Sequence, residues 1–218
     1  GEKGQEYIEG KGWYEWPLHH IPLFMAFSFI AMIIIFWMGG FPIAAAMVFA
    51  TVLILTTFLL GAIAVRVMGE TGIEPVSGTS FIVLLMLLGL FLGYGDFFGL
   101  SKEEAILIAL VGTTVFGSAI SMSGTVVADY KNSLYIGNRP YHISKGNIMG
   151  VVPGAILGAG MAIFLSDLLA DGTIDLLAPQ ANAFAGFTVM LAEGQGNLSA
   201  LFIGFLLGAF IEWVTGMG

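Results

Sequence analysis

The chain contains no cysteine in its 218 residues. That excludes a disulfide framework, a thiolate metal site and a cysteine nucleophile. Charge is scarce as well: Asp, Glu, Lys and Arg make up 10% of the sequence, and only 7 of these residues are basic against 15 acidic. A basic footprint for nucleic acid is therefore missing. Of the three histidines, His19 and His20 lie beside Glu15 and His142 lies in a basic stretch, and neither place has the further spaced ligands of a metal site. No glycine-rich loop ends in Lys-Ser or Lys-Thr, so ATP hydrolysis has no support. Neither Val76-Ser77-Gly78 nor Met122-Ser123-Gly124 has glycine two places before the serine, as a rhomboid-type nucleophile requires. No metal or cofactor is expected. The first twenty residues are polar, acidic and Trp-rich, unlike the basic stretch and short apolar run of a signal peptide.

Apolar side chains fill the space that charge leaves. Hydrophobic residues make up 57% of the chain, and mean hydropathy is +0.93. A soluble domain has too little interior to hide that much apolar surface. Crossing a hydrocarbon core about 30 Å thick takes roughly 20 apolar residues per helix. Uninterrupted apolar runs propose six spans, near 22–38, 42–66, 80–95, 104–128, 146–166 and 198–215. The predicted fold is all-α: a polytopic transmembrane bundle of about six spans with one or two broken or re-entrant segments. Residues 1–21 form a polar interfacial segment and 22–218 the bundle. Trp13, Tyr14 and Trp16 precede the first span and Trp37 closes it, at the depth where aromatic rings favour headgroups. Gly39-Gly40-Phe41-Pro42 reads as a tight hairpin between the first two spans.

Lys3, Lys11, Arg66, Lys131, Arg139 and Lys145 fall on the side of the N-terminus, and only Lys102 falls opposite. That imbalance predicts a cytoplasmic N-terminus in the cell membrane. The 167–197 connection, acidic and without Lys or Arg, then lies outside. Its middle, Ile174 to Leu191, is apolar but broken by Pro179, Gln180 and Asn182, and reads as a re-entrant or interfacial element. Glycines recur every four residues at Gly150, Gly154 and Gly158, and again at Gly89/Gly93 and Gly204/Gly208. Such rows let helix backbones approach closely in lipid, and imply helix packing without a specific activity. The chain stops at Thr215-Gly216-Met217-Gly218 directly after an apolar run, which suggests a fragment or one subunit of something larger.

Three segments could carry chemistry, because charge near a membrane is costly unless it meets a cavity or a partner. Between the second and third spans, Arg66 to Ser80 holds Glu70, Glu74, Pro75 and Ser77 among glycines and hydroxyls. A helix broken there would offer half-helix dipoles and free backbone groups, the parts transporters use for substrates and coupling ions. An ordinary loop whose acids pair with Arg66 fits the same spacing equally well. Glu70 and Glu74 stand one turn apart if that stretch is helical. After the fourth span, Ala128 to Pro140 gathers Asp129, Lys131, Arg139 and two tyrosines, where a solvated loop is the plainer reading. Gly93-Tyr94-Gly95-Asp96 matches the Gly-x-Gly-Asp tetrapeptide of intramembrane aspartyl proteases. Those enzymes need a second aspartate in a Tyr-Asp pair. Asp129-Tyr130 has the reverse order and lies on the opposite predicted face.

The stretch Asp129 to Gly150 resembles a signature of the oligopeptide transporter (OPT) family, which runs Asp-x-Lys-x-Gly, then Gly-x-x-Pro, then Gln-x-x-Gly into an apolar helix. Asp129, Lys131, Gly137, Pro140 and Gly150 stand at matching spacing. Ser133 replaces the usual glycine and Asn147 the usual glutamine, which marks a divergent member. Gly69 to Pro75 is similar to the family's helix break, with Glu74 where asparagine is common. The resemblance implies a secondary transporter of small peptides or peptide-like metal chelates, driven by protons, with this chain as part of the transport unit. The remaining partners would be the bilayer and either the rest of the transporter or further copies in a homo-oligomer. It implies Glu70 and Glu74 as lining or proton-handling groups and Asp129 with Lys131 as a gate or interface ion pair. Glu212 is a weaker candidate. A structural or assembly subunit of a membrane complex is the alternative from another class, and an aspartyl protease the third.

Overall fold

The computed structural model describes residues 7–8, 12–172, 179–194 and 198–215, and its elements are almost entirely helical. A two-residue antiparallel pairing, Tyr7–Ile8 with Gly12–Trp13, opens the chain, and a 3₁₀ turn at Leu18–His20 runs directly into the first helix. The helices are α1 (Ile21–Met38), α2 (Ile43–Thr71), α3 (Val76–Gly93), α4 (Gly95–Phe98), α5 (Lys102–Tyr135), α6 (Pro140–Ala170), α7 (Pro179–Ala192) and α8 (Leu198–Thr215). Among the described residues, five helices are long and apolar enough to cross a membrane: α1 with the turn before it, α2, α3, α5 and α6. The sixth expected span coincides with α8, where the apolar stretch is Phe202–Ile211. The side chain of Glu212, together with Lys3 and Lys11, lies outside the described residues.

The helices outrun the apolar runs at their polar ends. α2 continues to Thr71, α5 to Tyr135, and α6 starts at Pro140 instead of 146. Backbone hydrogen bonding stops where a residue cannot continue it, whereas hydropathy only marks where lipid contact ends. Gly40 at φ 93° and Pro42 separate α1 from α2. At the head of α5, Ser101 Oγ accepts from Glu104 N at 3.2 Å and Ser101 N donates to Glu104 Oε2 at 2.7 Å, a complete capping box. Between α5 and α6, Gly137 at φ 72° allows a reversal that most side chains resist.

The core is the seam of α2, α3 and α5. Phe49, Leu53, Leu84, Leu87, Phe91, Ile108, Phe116 and Ile120 are closed off there, and α1 lies against α2 through Phe36, whose ring is 4.1 Å from that of Phe49. Gly112 marks the closest approach. A Cβ at that position would lie 2.6 Å from both Leu87 Cδ1 and Phe49 Cε2, so α5 can touch both neighbours only with hydrogen there. Gly117 fits under Ser80 in the same way: a Cβ there would lie 3.0 Å from Ser80 Oγ.

α7 has 14 residues, about 21 Å of helix at 1.5 Å per residue, and is too short to cross a core of about 30 Å. It lies along α3. Gln180 Nε2 donates to Ser77 Oγ at 2.8 Å, Phe184 and Phe187 meet Phe81, and Leu191 and Ala192 line a cavity with Gly93 and Asp96. The six-span reading starts and ends the 167–197 connection at the far end of the bundle, with a re-entrant or interfacial middle. The Gln180–Ser77 bond brings the Pro179 end of α7 back along α3 to the α2–α3 break. Residues 174–178 of that expected element lie outside the described residues.

Candidate functional site

The break between α2 and α3 is only four residues long, Gly72 to Pro75. Gly72 ends α2 in the left-handed region, φ 75°, and its N–H donates to Met68 O at 2.9 Å. Thr71 Oγ1 donates to Val67 O and accepts from Ile73 N at 3.1 Å, so the chain leaves the helix with its amides paired. Pro75 disfavours helical backbone at Glu74 and has no N–H to continue the ladder. Its carbonyl then accepts both the amide and the hydroxyl of Thr79, at 3.3 and 2.6 Å, which starts α3.

This geometry separates the two acids that the sequence set one turn apart. Glu70 is still on α2, exposed, and accepts from Arg66 Nε at 3.0 Å along the helix surface. Glu74, in the break, crosses to α5. Ser121 Oγ donates to its Oε2 at 3.2 Å, and the carboxyl lies in the notch left by Gly124. A Cβ at Gly124 would lie 2.5 Å from Glu74 Oε1 and 2.7 Å from its Cδ and Cγ. The seat exists because residue 124 has no side chain. Ser77, the second residue of α3, accepts from Gln180 beside it. The broken helix is thus held from two directions, by α5 through Glu74 and by α7 through Ser77.

Asp129 and Lys131 are on α5 itself and not in a loop. Asp129 lies eight residues beyond Ser121, about 12 Å along the axis at the usual helical rise. The ion pair expected between Asp129 and Lys131 does not form. Two positions apart on a helix, they point to different faces. Asp129 Oδ2 instead accepts from Asn147 Nδ2 at 3.3 Å, while Lys131 is exposed. Next to this link, Ser144 Oγ donates its single proton to Pro140 O at 3.1 Å, so the Tyr130 hydroxyl must donate to Ser144 Oγ. Ser133 is buried and donates to Asn138 O at 3.1 Å, which braces the turn. Both departures from the family pattern, Ser133 and Asn147, therefore have structural partners here.

The N-terminal segment docks on the same turn. Tyr141 N donates to Tyr14 O at 3.0 Å, and the Trp16 and Tyr141 rings stack with centroids 5.2 Å apart. The glycine row on α6 has no partner within the described chain: a Cβ at Gly150, Gly154 or Gly158 would meet nothing within 4 Å. Gly89, Gly93, Gly204 and Gly208 are equally open. Close packing falls instead on Gly112, Gly117 and Gly124 of α5, which share no four-residue spacing. Asp96 is near the start of α5 and Asp129 near its end, about 40 Å apart at the usual helical rise, so the two carboxylates cannot form a protease dyad. Among the described residues no group of three or more His, Asp or Glu could hold a metal ion.

Sequence reading picks out Glu74, Pro75, Ser77 and Asp129, but misses Ser121, Gly124, Tyr130 and Ser144. Ser121 and Gly124 stand 47 and 50 residues from Glu74, and nothing local in the sequence ties them to it. The family model described as OPT oligopeptide transporter protein matches residues 15–215. No curated protein and no solved structure matches the chain.

Proposed function

The chain belongs to the OPT oligopeptide transporter family, a family of multi-pass membrane transporters and not of enzymes, and from that premise we propose proton-coupled transport of small peptides or peptide-like metal chelates, with Glu74 as the proton-handling group. The observation that carries this reading is the seating of Glu74 in the Gly124 notch of α5. A carboxylate at a helix break can only accept hydrogen bonds, whereas the protonated acid also donates. Taking up a proton therefore changes what Glu74 can hold, and with it the tie between the α2–α3 break and α5. Glu70 is the lesser candidate, since it is exposed and already paired with Arg66. Asp129 and Asn147 form the second element, a clasp between α5 and α6 suited to gating. Pro75 and Ser77 maintain the break, and Lys131 is an exposed cation near the end of α5.

The docking of Tyr14 on Tyr141 supports a cytoplasmic N-terminus in the cell membrane, because it joins the N-terminal segment to the end of the bundle where Lys131 of α5, Arg139 of the turn and Lys145 of α6 lie. The open glycine row of α6 supports further helices against it, from the rest of a larger transporter or from a second copy. The test is uptake into proteoliposomes under an imposed inward proton gradient. Glu74→Gln abolishes the stimulation by the gradient, while Glu70→Gln retains it. Unchanged gradient dependence in Glu74→Gln, Glu70→Gln and Asp129→Asn alike would remove proton coupling from this chain.

A further inference from the structure

Most hydroxyls on the facing helices α3 and α5 are spoken for by their own backbone. Thr79 on α3 and Thr113, Ser118, Ser123 and Thr125 on α5 each donate to the carbonyl four residues back. Ser121 donates across to Glu74 instead. Ser80 is the exception in kind: its Oγ is buried and, among the described residues, has no hydrogen-bond partner. A serine inside a helix ordinarily bonds the carbonyl four back or faces solvent, and Ser80 does neither. A buried polar group left in that condition is costly, so its orientation has a use.

Ser80 turns towards α5. A Cβ at Gly117 would lie 3.0 Å from Ser80 Oγ, with only Val76 Cγ1 besides, at 3.8 Å. That spot is less crowded than Gly112, where Leu87 and Phe49 both come within 2.6 Å. Gly117, Ser121 and Gly124 stand at i, i+4 and i+7, on one face of α5. Ser80 therefore meets the same strip of α5 that receives the Glu74 carboxyl. From residue 117 to residue 121 a helix rises about 6 Å. That exceeds one hydrogen bond and equals about two, at roughly 2.8 Å each, through a single water. A buried water takes about three bonds, and three groups are at hand: the Ser80 hydroxyl, the Ser121 oxygen and the Glu74 carboxyl. Glu74 and Ser121 are only half-buried, so the strip has a way in for water at the break.

Charge does not compete for this seat. α3 and α7 carry no charged or histidine side chain. On α2, Arg66 and Glu70 pair with each other, and on α5 the nearest charge is Asp129, about 12 Å beyond Ser121 along the axis. Hydrogen bonds are left to set the state of Glu74.

We infer that Ser80 is a positioning residue for Glu74, joined through one bound water to Ser121 and the carboxyl. The inference deepens the reading of Glu74 as the proton-handling group and rests on it. When the acid is ionised, the water donates to it and Ser80 donates to the water. When the acid is protonated, it donates to the water, which turns a proton towards the Ser80 oxygen. A hydroxyl serves both states because it donates and accepts.

The experiment is infrared difference spectroscopy between high and low pH on the full chain in proteoliposomes. The carbonyl band of protonated Glu74 is assigned by its loss in Glu74→Gln. Ser80→Ala shifts that band to higher wavenumber, because the acid loses hydrogen bonding through the water. Ser80→Ala also lowers the thermal unfolding midpoint of the wild type but not that of Ser121→Ala, since the two hydroxyls share one water. A hydroxyl that is merely buried gives the opposite result. Ser80→Ala then leaves the band in place and raises the midpoint, having removed an unpaired polar group, and the inference is overturned. The two failures are distinguishable: full gradient stimulation of uptake in Glu74→Gln sinks the proton-handling role, whereas an unmoved band in Ser80→Ala sinks the role of Ser80 alone.

Discussion

α5 and α6 are nearly equal in mean hydropathy, 2.0 and 2.1 over their most apolar stretches, yet 39% of that stretch is buried in α5 and none of it in α6. Both helices carry glycines, and both continue into the same turn. The difference lies in what faces each glycine. On α5, hydrogen at Gly112 admits Leu87 and Phe49 together, and hydrogen at Gly124 admits the Glu74 carboxyl. On α6, the more regular row at Gly150, Gly154 and Gly158 admits nothing in the described chain. In lipid the hydrophobic effect gives helices no reason to associate, so apolar content cannot tell a core helix from a peripheral one. Shape decides, and shape is a property of pairs of segments.

The largest effect that sharpens this comparison is expected from Gly112→Val. The new side chain meets Leu87 and Phe49 on opposite sides, and overpacking of that kind costs about 3 kcal/mol. Thermal unfolding in detergent should show it, while Gly154→Val on α6 stays within about 0.5 kcal/mol of wild type. Equal destabilisation by the two substitutions would break the comparison within the chain and reveal, in the detergent particle, the partner against α6 proposed above. Gly124→Ala comes next. The carboxyl of Glu74 is a flexible end and can move aside, so stability falls by only about 1 kcal/mol. Gradient-driven uptake falls further, towards that of Glu74→Gln. Smaller again is Asn147→Ala, which removes the donor to Asp129 and costs about 1 kcal/mol, read as a lower unfolding midpoint. Arg66→Gln closes the series. Its pair with Glu70 is exposed on both sides, and its loss changes stability by no more than about 0.5 kcal/mol.

Much of the architecture is legible in the sequence because each span is its own signal. Five of the six expected runs coincide with long helices, inside them or within two residues at their ends, and the sixth coincides with α8. The ends are less legible. α5 runs seven residues beyond its apolar run, carrying Asp129 and Lys131 on helix, since polar residues extend a backbone ladder as readily as apolar ones. The break is legible in Gly72 and Pro75, whose backbone limits are local. The seat for Glu74 is not, because Ser121 and Gly124 act through a tertiary approach that no spacing announces. The glycine row of α6 shows the converse: a repeat every four residues declares that a face is able to pack, and says nothing of the partner.

The length of α5 gives it a mechanical consequence. Its 34 residues make a rod of about 51 Å, well beyond a hydrocarbon core of about 30 Å. Phe116, Gly117 and Ile120 pin the rod to α2 and α3 as far as the Glu74 seat, so only the turns beyond Gly124 can lean without disturbing the core. A lean of about 5° there would carry Tyr135 by about 1 Å at the usual helical rise. It would act on the clasp between Asp129 and Asn147 and leave the bond from Ser121 to Glu74 in place, so the two ties along this rod are mechanically separate.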